Sequence, residues 1–149
     1  MQSKVAPLVR ETFLEVVNRS VGTPIFQTLW AEVDGVRTDV TRQGELSCAF
    51  FVSALLAAFG WLDHVHATVA GTEKVLPNHG WSLVDLPAPG DILVWESQVA
   101  ERGESHAHIG FYLGDDQAIS NSSTTRVPEK HHWTYGETRQ VRAIYRRQW

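Results

Sequence analysis

The sequence predicts an α+β fold, with helices in the amino-terminal part packed on an antiparallel sheet formed by the carboxy-terminal part. Three observations predict it. Apolar residues at helical spacing occupy two stretches before residue 60; short apolar runs bounded by Pro, Gly and Asp follow after residue 88; and Gly114-Asp115-Asp116 is a tight reversal between two such runs. With 149 residues, 43% of them hydrophobic and six of them tryptophan, the chain is long enough for one real core and too short for two comfortable ones, so a single domain over 1–149 is expected.

From Ala6 to Ser20, Val9, Phe13, Val16 and Val17 fall on one helical face, and Gly22 reads as the stop. Residues 23–44 carry Pro24, Gly35 and Gly44 and read as an irregular loop or a short hairpin turning at Asp34-Gly35. Ser47 is the expected N-cap of a second helix running to about Phe59, where Gly60 ends it. Phe51, Val52, Leu55, Leu56 and Phe59 make that helix almost wholly buried. A short helix is expected around Thr68 to Leu76, broken by Pro77-Asn78-His79-Gly80. Strands follow at Ile92 to Trp95, Ala107 to Gly114, Gln117 to Asn121 and Arg142 to Arg147, with a polar excursion after Trp95. No internal repeat, low-complexity tract or linker interrupts this order.

The formal charge of −4 carries no long block of either sign, which argues against nucleic acid as a partner. The amino terminus lacks the apolar region of a secretory signal, and no stretch approaches membrane-spanning length, so no membrane span is expected. The compartment is left open. His64, His66, His79, His131 and His132 show neither His-Glu-x-x-His nor paired Cys-x-x-Cys spacing, and neither a metal nor another cofactor is expected. The simpler reading of these histidines is surface placement, with His131-His132, near Trp133, as a candidate border to a substrate groove.

Cys48 is the only cysteine, so it forms no internal disulfide; it is either a small buried apolar residue or a nucleophile. Its place at the first turn of a helix, where unpaired N–H groups and the macrodipole favour the thiolate, selects the second reading. Nucleophilic cysteine chemistry also needs an imidazole and a polar group that orients it. His108 lies in Ala107-His108-Ile109-Gly110-Phe111-Tyr112-Leu113-Gly114, and the reversal after Gly114 brings Ser120 or Asn121 alongside it. His106, on the same strand face, is the competing base.

These segments carry a resemblance. Cys48 at a helix start, then Pro89-Gly90-Asp91-Ile92-Leu93-Val94-Trp95, then His108-Ile109-Gly110-Phe111-Tyr112-Leu113-Gly114, is similar to the NlpC-type cell-wall cysteine peptidases, relatives of the CHAP amidases in the papain-like superfamily. The resemblance spans roughly residues 22–123. It implies a thiol hydrolase that cleaves an amide bond through an acyl-enzyme, with peptide or peptidoglycan-derived stems as substrate, acting on cell wall if exported. It makes Cys48 the nucleophile and His108 the general base. The third polar residue of the family lies on the next strand: a gapless count reaches Ser120, whereas an amide oxygen is the more definite acceptor, which makes Asn121 the expected residue and Ser120 its alternative.

The chain also departs from the family pattern. The family's Asp-Cys-Ser-Gly is Ser47-Cys48-Ala49-Phe50 here, and the tyrosine expected after Gly22-Thr23-Pro24 is replaced by Ile25 and Phe26. That aspartate and tyrosine hold the amino end of a stem peptide in the family, so the substrate-binding candidates become Ser47, Glu45 and the loop tryptophan Trp30, with Asp34 or Asp39 as other carboxylates. The departures leave two other readings open: acyl transfer by the same Cys-His pair, and a non-catalytic binding module of the same fold.

Overall fold

The computed structural model describes residues 1–99 and 102–149. The helices form where the sequence places them, with ends trimmed: α1 is Val9–Arg19, α2 is Cys48–Ala58 and α3 is Val69–Val75, continued by a 3-10 turn at Leu76–His79. On α1 only Phe13 and Val17 are buried; Val9 and Val16, read as core, stand partly exposed, because α1 touches the core along a narrow stripe. The hairpin alternative holds for the first loop. β1 (Trp30–Val33) and β2 (Val36–Asp39) pair across Asp34-Gly35, both with positive φ, as a two-residue hairpin turn requires.

The main sheet contains β3 (Trp81–Leu83), β4 (Ile92–Val99), β5 (Ser105–Gly114), β6 (Gln117–Asn121), β7 (Pro128–His132) and β8 (Val141–Arg147), ordered β3-β8-β4-β5-β6-β7 and antiparallel throughout. Two strands, β3 and β7, have no counterpart in the sequence reading, since β3 is three residues long and Pro128-Glu129-Lys130-His131-His132 shows no apolar alternation. β4 runs past its predicted end at Trp95 to Val99, its solvent half held by pairing to β5. The tip of the predicted polar excursion, 100–101, lies outside the described residues.

Both sheet faces are covered near the centre, which is why Ile92 to Trp95 is a continuous apolar run. Ile92, Val94, Ile109, Phe111 and Ile119 meet the helices, where Phe13 and Phe51 each pack edge-on against Phe111. On the reverse face Leu93, Trp95, Tyr112, Ala118 and Ile144 are covered by Trp133 and Tyr135 from the segment between β7 and β8. The Trp95 indole Nε1 donates to the Trp133 carbonyl at 2.7 Å and pins that segment down. Asp91 of the Pro-Gly-Asp motif is a fold residue: buried, it accepts the Ala88 N–H at 2.7 Å and the Arg146 guanidinium at 2.7 Å, closing the turn into β4 onto β8. No helix among the described residues is long and apolar enough to cross a membrane.

Candidate active site

Cys48 is the first residue of α2. Ser47 occupies the N-cap position, yet its hydroxyl makes no cap: it donates to the Phe26 carbonyl, and the residue is fully buried. This corrects two expectations at once, since Ser47 neither caps α2 through its side chain nor faces a substrate. What positions Cys48 is the loop before it. The Asn121 amide Nδ2 donates to the Gly44 carbonyl at 2.7 Å, Gln27 donates to the Arg126 carbonyl at 3.1 Å, and Arg126 donates to the Arg42 carbonyl at 3.2 Å. Gly44 has φ +94, and a Cβ there would sit 2.6 Å from the Arg126 carbonyl, so the close approach of the two loops requires glycine.

The β5–β6 register runs from Gly110–Ser120 to Gly114–Gln117, leaving the half of β5 that holds His108 and Ile109 uncovered by β6. α2 packs on the sheet face there, with Phe51 against Phe111. The Cys48 sulfur faces the N–H of Ile109, next in chain to His108, together with the N–H groups of Ala49 and of Cys48 itself. The His108 imidazole reaches toward β6, and its Nε2 lies 2.8 Å from the Ser120 hydroxyl. Nδ1 of His108 has no hydrogen-bond partner among the described residues. One ring face of His108 lies against Trp95, with centroids 5.3 Å apart. Gly110, between His108 and Tyr112 on this face, makes room for the arrangement, because a Cβ there would meet the Ile119 carbonyl at 2.4 Å and the Ser120 Cβ at 2.8 Å.

Ser120, not Asn121, is therefore the imidazole's neighbour. Alternation along β6 puts Ser120 on the reverse face with His108 and turns Asn121 to the helix side, where it holds Gly44. The Ser120 hydroxyl has two further partners that the sequence reading missed: Nε2 of His131 at 2.7 Å and the Tyr135 hydroxyl at 3.0 Å. His131 stacks flat on Tyr135, with centroids 4.0 Å apart at 12°. The sequence puts His131-His132 near Trp133, but a signal for this contact requires β7, which the residue pattern hides. His106, the competing base, instead bonds Glu104 through Nε2 at 3.0 Å, and Glu104 forms a two-pronged pair with Arg42 at 2.9 and 3.0 Å. The Arg42 guanidinium, with His106 beside it, holds the Glu104 carboxyl down to about 2.

The electrostatics differ from the thiolate expected of a helix start. Burial pushes the Cys48 thiol up, outweighing the three N–H groups and the Arg139 charge, which favour the anion. Burial likewise pushes His108 down to about 3, with the positive charge of Arg139 and the neighbouring His131 adding to it. Arg139 is fixed by the carbonyls of Glu96 at 3.1 Å and His106 at 2.9 Å. Both shifts favour the neutral form at neutral pH, of the Cys48 thiol and of the His108 imidazole.

Among the described residues, none of the remaining candidates hydrogen-bonds to this cluster. Trp30 is exposed on β1, and the Arg37 guanidinium covers its ring at 3.7 Å, occupying the face a substrate would stack on. Glu45 is half-buried, and its charge acts on Arg42. Asp39 is engaged by its own loop: although burial opposes the charge, bonds from Thr41, Gln43 and Leu29 hold its carboxyl below the usual range. Asp34 is a turn residue. Among the described residues no three His, Cys, Asp or Glu side chains converge as a metal site.

The architecture is an NlpC-like α+β fold. Over 98% of its length the chain superposes on the structure of NlpC2 from Trichomonas vaginalis, with a TM-score of 0.59 and 22% sequence identity, and it spans about half (50%) of that chain. No family model and no curated protein matches the sequence.

Proposed function

We propose that the protein is a papain-like cysteine hydrolase, a peptidase or amidase, with Cys48 as nucleophile, His108 as general base and Ser120 as the group that orients the imidazole. The observation that carries this reading is that the Cys48 sulfur, at the start of α2, faces the backbone N–H of Ile109 while His108, one residue back, is anchored to Ser120 through Nε2. The sulfur attacks the amide carbonyl carbon as its proton passes to Nδ1 of His108, because a neutral pair moves the proton during attack and not before it. The carbonyl oxygen takes up the electron pair at the amino end of α2, where the Cys48 N–H is the available donor. Collapse of this intermediate breaks the C–N bond; the imidazolium returns its proton to the leaving amine, and a thioester remains on Cys48. Water, deprotonated by His108, then attacks the thioester and releases a carboxylic acid and the free thiol.

The substrate class follows from the resemblance: peptides, in particular peptidoglycan-derived stem peptides. With Ser47 buried and Trp30 covered, the amino end of such a stem would be held differently from the family pattern. The test is incubation of the parent chain, Cys48→Ser and His108→Ala with soluble stem peptides, read by mass spectrometry. Release of free acid and amine by the parent, with both variants reduced to background while keeping the parent's circular dichroism spectrum, supports the reading. A folded Cys48→Ser variant that is fully active rejects it. An acyl group transferred to an added amine in place of free acid assigns transfer as the reaction.

A further inference from the structure

We infer that His131 is a positioning residue that sets which ring nitrogen of His108 carries the proton, acting through the Ser120 hydroxyl; this rests on the Cys48–His108 reading above. Nδ1 of His131 faces the His132 carbonyl at 2.8 Å, and a carbonyl oxygen only accepts, so that nitrogen carries the hydrogen. Burial lowers the proton affinity of His131, so its ring is neutral near pH 7 and its Nε2 offers a lone pair. Ser120 stands 2.7 Å from that Nε2 and has a single hydroxyl hydrogen, which it donates there.

The Ser120 oxygen then has only lone pairs for its remaining neighbours, the Tyr135 hydroxyl at 3.0 Å and Nε2 of His108 at 2.8 Å. Both must donate. Neutral His108 therefore holds its one hydrogen on Nε2, and its Nδ1 is left as the unprotonated base for the thiol. A serine alone could not impose this, since an unconstrained hydroxyl donates or accepts with equal ease. The direction is imposed by the His132 carbonyl, relayed through His131, and Tyr135 completes the serine's bonding while its ring keeps His131 in place. This explains how serine can stand where a more definite acceptor was expected.

The experiment reads tautomers directly. Histidine-labelled parent protein is examined at pH 7.5 by long-range proton–nitrogen correlation NMR, with His108 and His131 assigned from His108→Gln and His131→Gln. The parent is expected to show His108 protonated on Nε2 and His131 protonated on Nδ1. His131→Leu, which removes the acceptor, should give His108 mixed tautomers and slow Cys48 alkylation by iodoacetamide about tenfold, the worth of one lost directional hydrogen bond. His131→Gln, whose amide oxygen can accept the serine hydrogen, should restore both. Tyr135→Phe, which leaves the acceptor in place, should keep the Nε2–H form. A parent His108 protonated on Nδ1, or a folded His131→Leu with an unchanged His108 tautomer, overturns the inference. Should His131→Leu not fold, the parent spectrum and His131→Gln still decide. If the tautomers are as stated but His108→Gln leaves Cys48 alkylation unchanged, the hydrolase reading fails and the tautomer assignment stands.

Discussion

Replacing Ser120 by alanine leaves two imidazole nitrogens and a phenol facing a methyl group, so the side chain matters for the direction of its bonds as well as for its volume. Ser120→Ala is predicted to cost about 1–3 kcal/mol of stability for the groups left unpaired and to slow Cys48 alkylation several-fold. Asn121→Ala, which frees the Gly44 carbonyl, is predicted to lower urea stability by a similar amount without changing the His108 tautomer. Equal effects of the two variants on the tautomer would contradict the assignment of roles. His108 also ties stability to pH. It stays neutral in the folded chain down to about pH 3, whereas the unfolded chain protonates it near 6.5, so between these values the unfolded state binds more protons. Stability is therefore full above pH 6.5 and falls as pH drops toward 3, with His131 adding to the same slope. His108→Gln should flatten the decline of the thermal midpoint between pH 6.5 and 4; an unchanged slope would refute the depressed proton affinity. At this scale a cysteine at a helix start and a histidine on an antiparallel strand were legible from the sequence, because both are local patterns. Between Ser120 and Asn121 the gapless count pointed to the residue found beside His108 and the acceptor chemistry to the wrong one, since the contact depends on which face of β6 looks at His108.

At the scale of elements, the candidate site forms where β6 stops short along β5, on a sheet whose helix face α2 covers. Gly110 permits the closeness of the two strands. Gly110→Ala would thrust a methyl group against the Ile119 carbonyl and the Ser120 Cβ, and it is predicted to cost about 1–3 kcal/mol in urea unfolding while moving Ser120 off His108, measurable as lost alkylation rate. A variant with parent stability and rate would show that the strands can separate there without consequence. The helices were readable from apolar spacing and their glycine stops, and the first hairpin was one of two readings of the segment around the Asp34-Gly35 turn. β7 was hidden because an edge strand of Pro128, Glu129, Lys130, His131 and His132 is held by pairing with β6, not by an apolar face. With β7 hidden, the contact of His131 with Ser120 had no sequence signature.

Across the whole molecule, one sheet carries two covers: helices on one face, and on the other the segment from Trp133 to Gln140, tied down by Trp95 and Arg139. In the proposed mechanism the nucleophile comes from the first cover and the groups that direct its base from the second, so that mechanism requires both to be seated. Phe13 joins α1 to Phe59, Trp61, Phe111 and Trp149, and Phe13→Ala is predicted to cost about 3–5 kcal/mol in denaturant unfolding with the alkylation rate of the folded fraction retained. Because Cys48 is the only thiol, one measurement addresses the central claim: the rate of iodoacetamide alkylation against pH, read by intact mass, for the parent and for His108→Ala. The account predicts that the parent reacts at least tenfold faster than the variant at pH 7 to 8, through an imidazole that removes the thiol proton during attack. Equal rates for the two proteins across the pH range, with both folded, would contradict it.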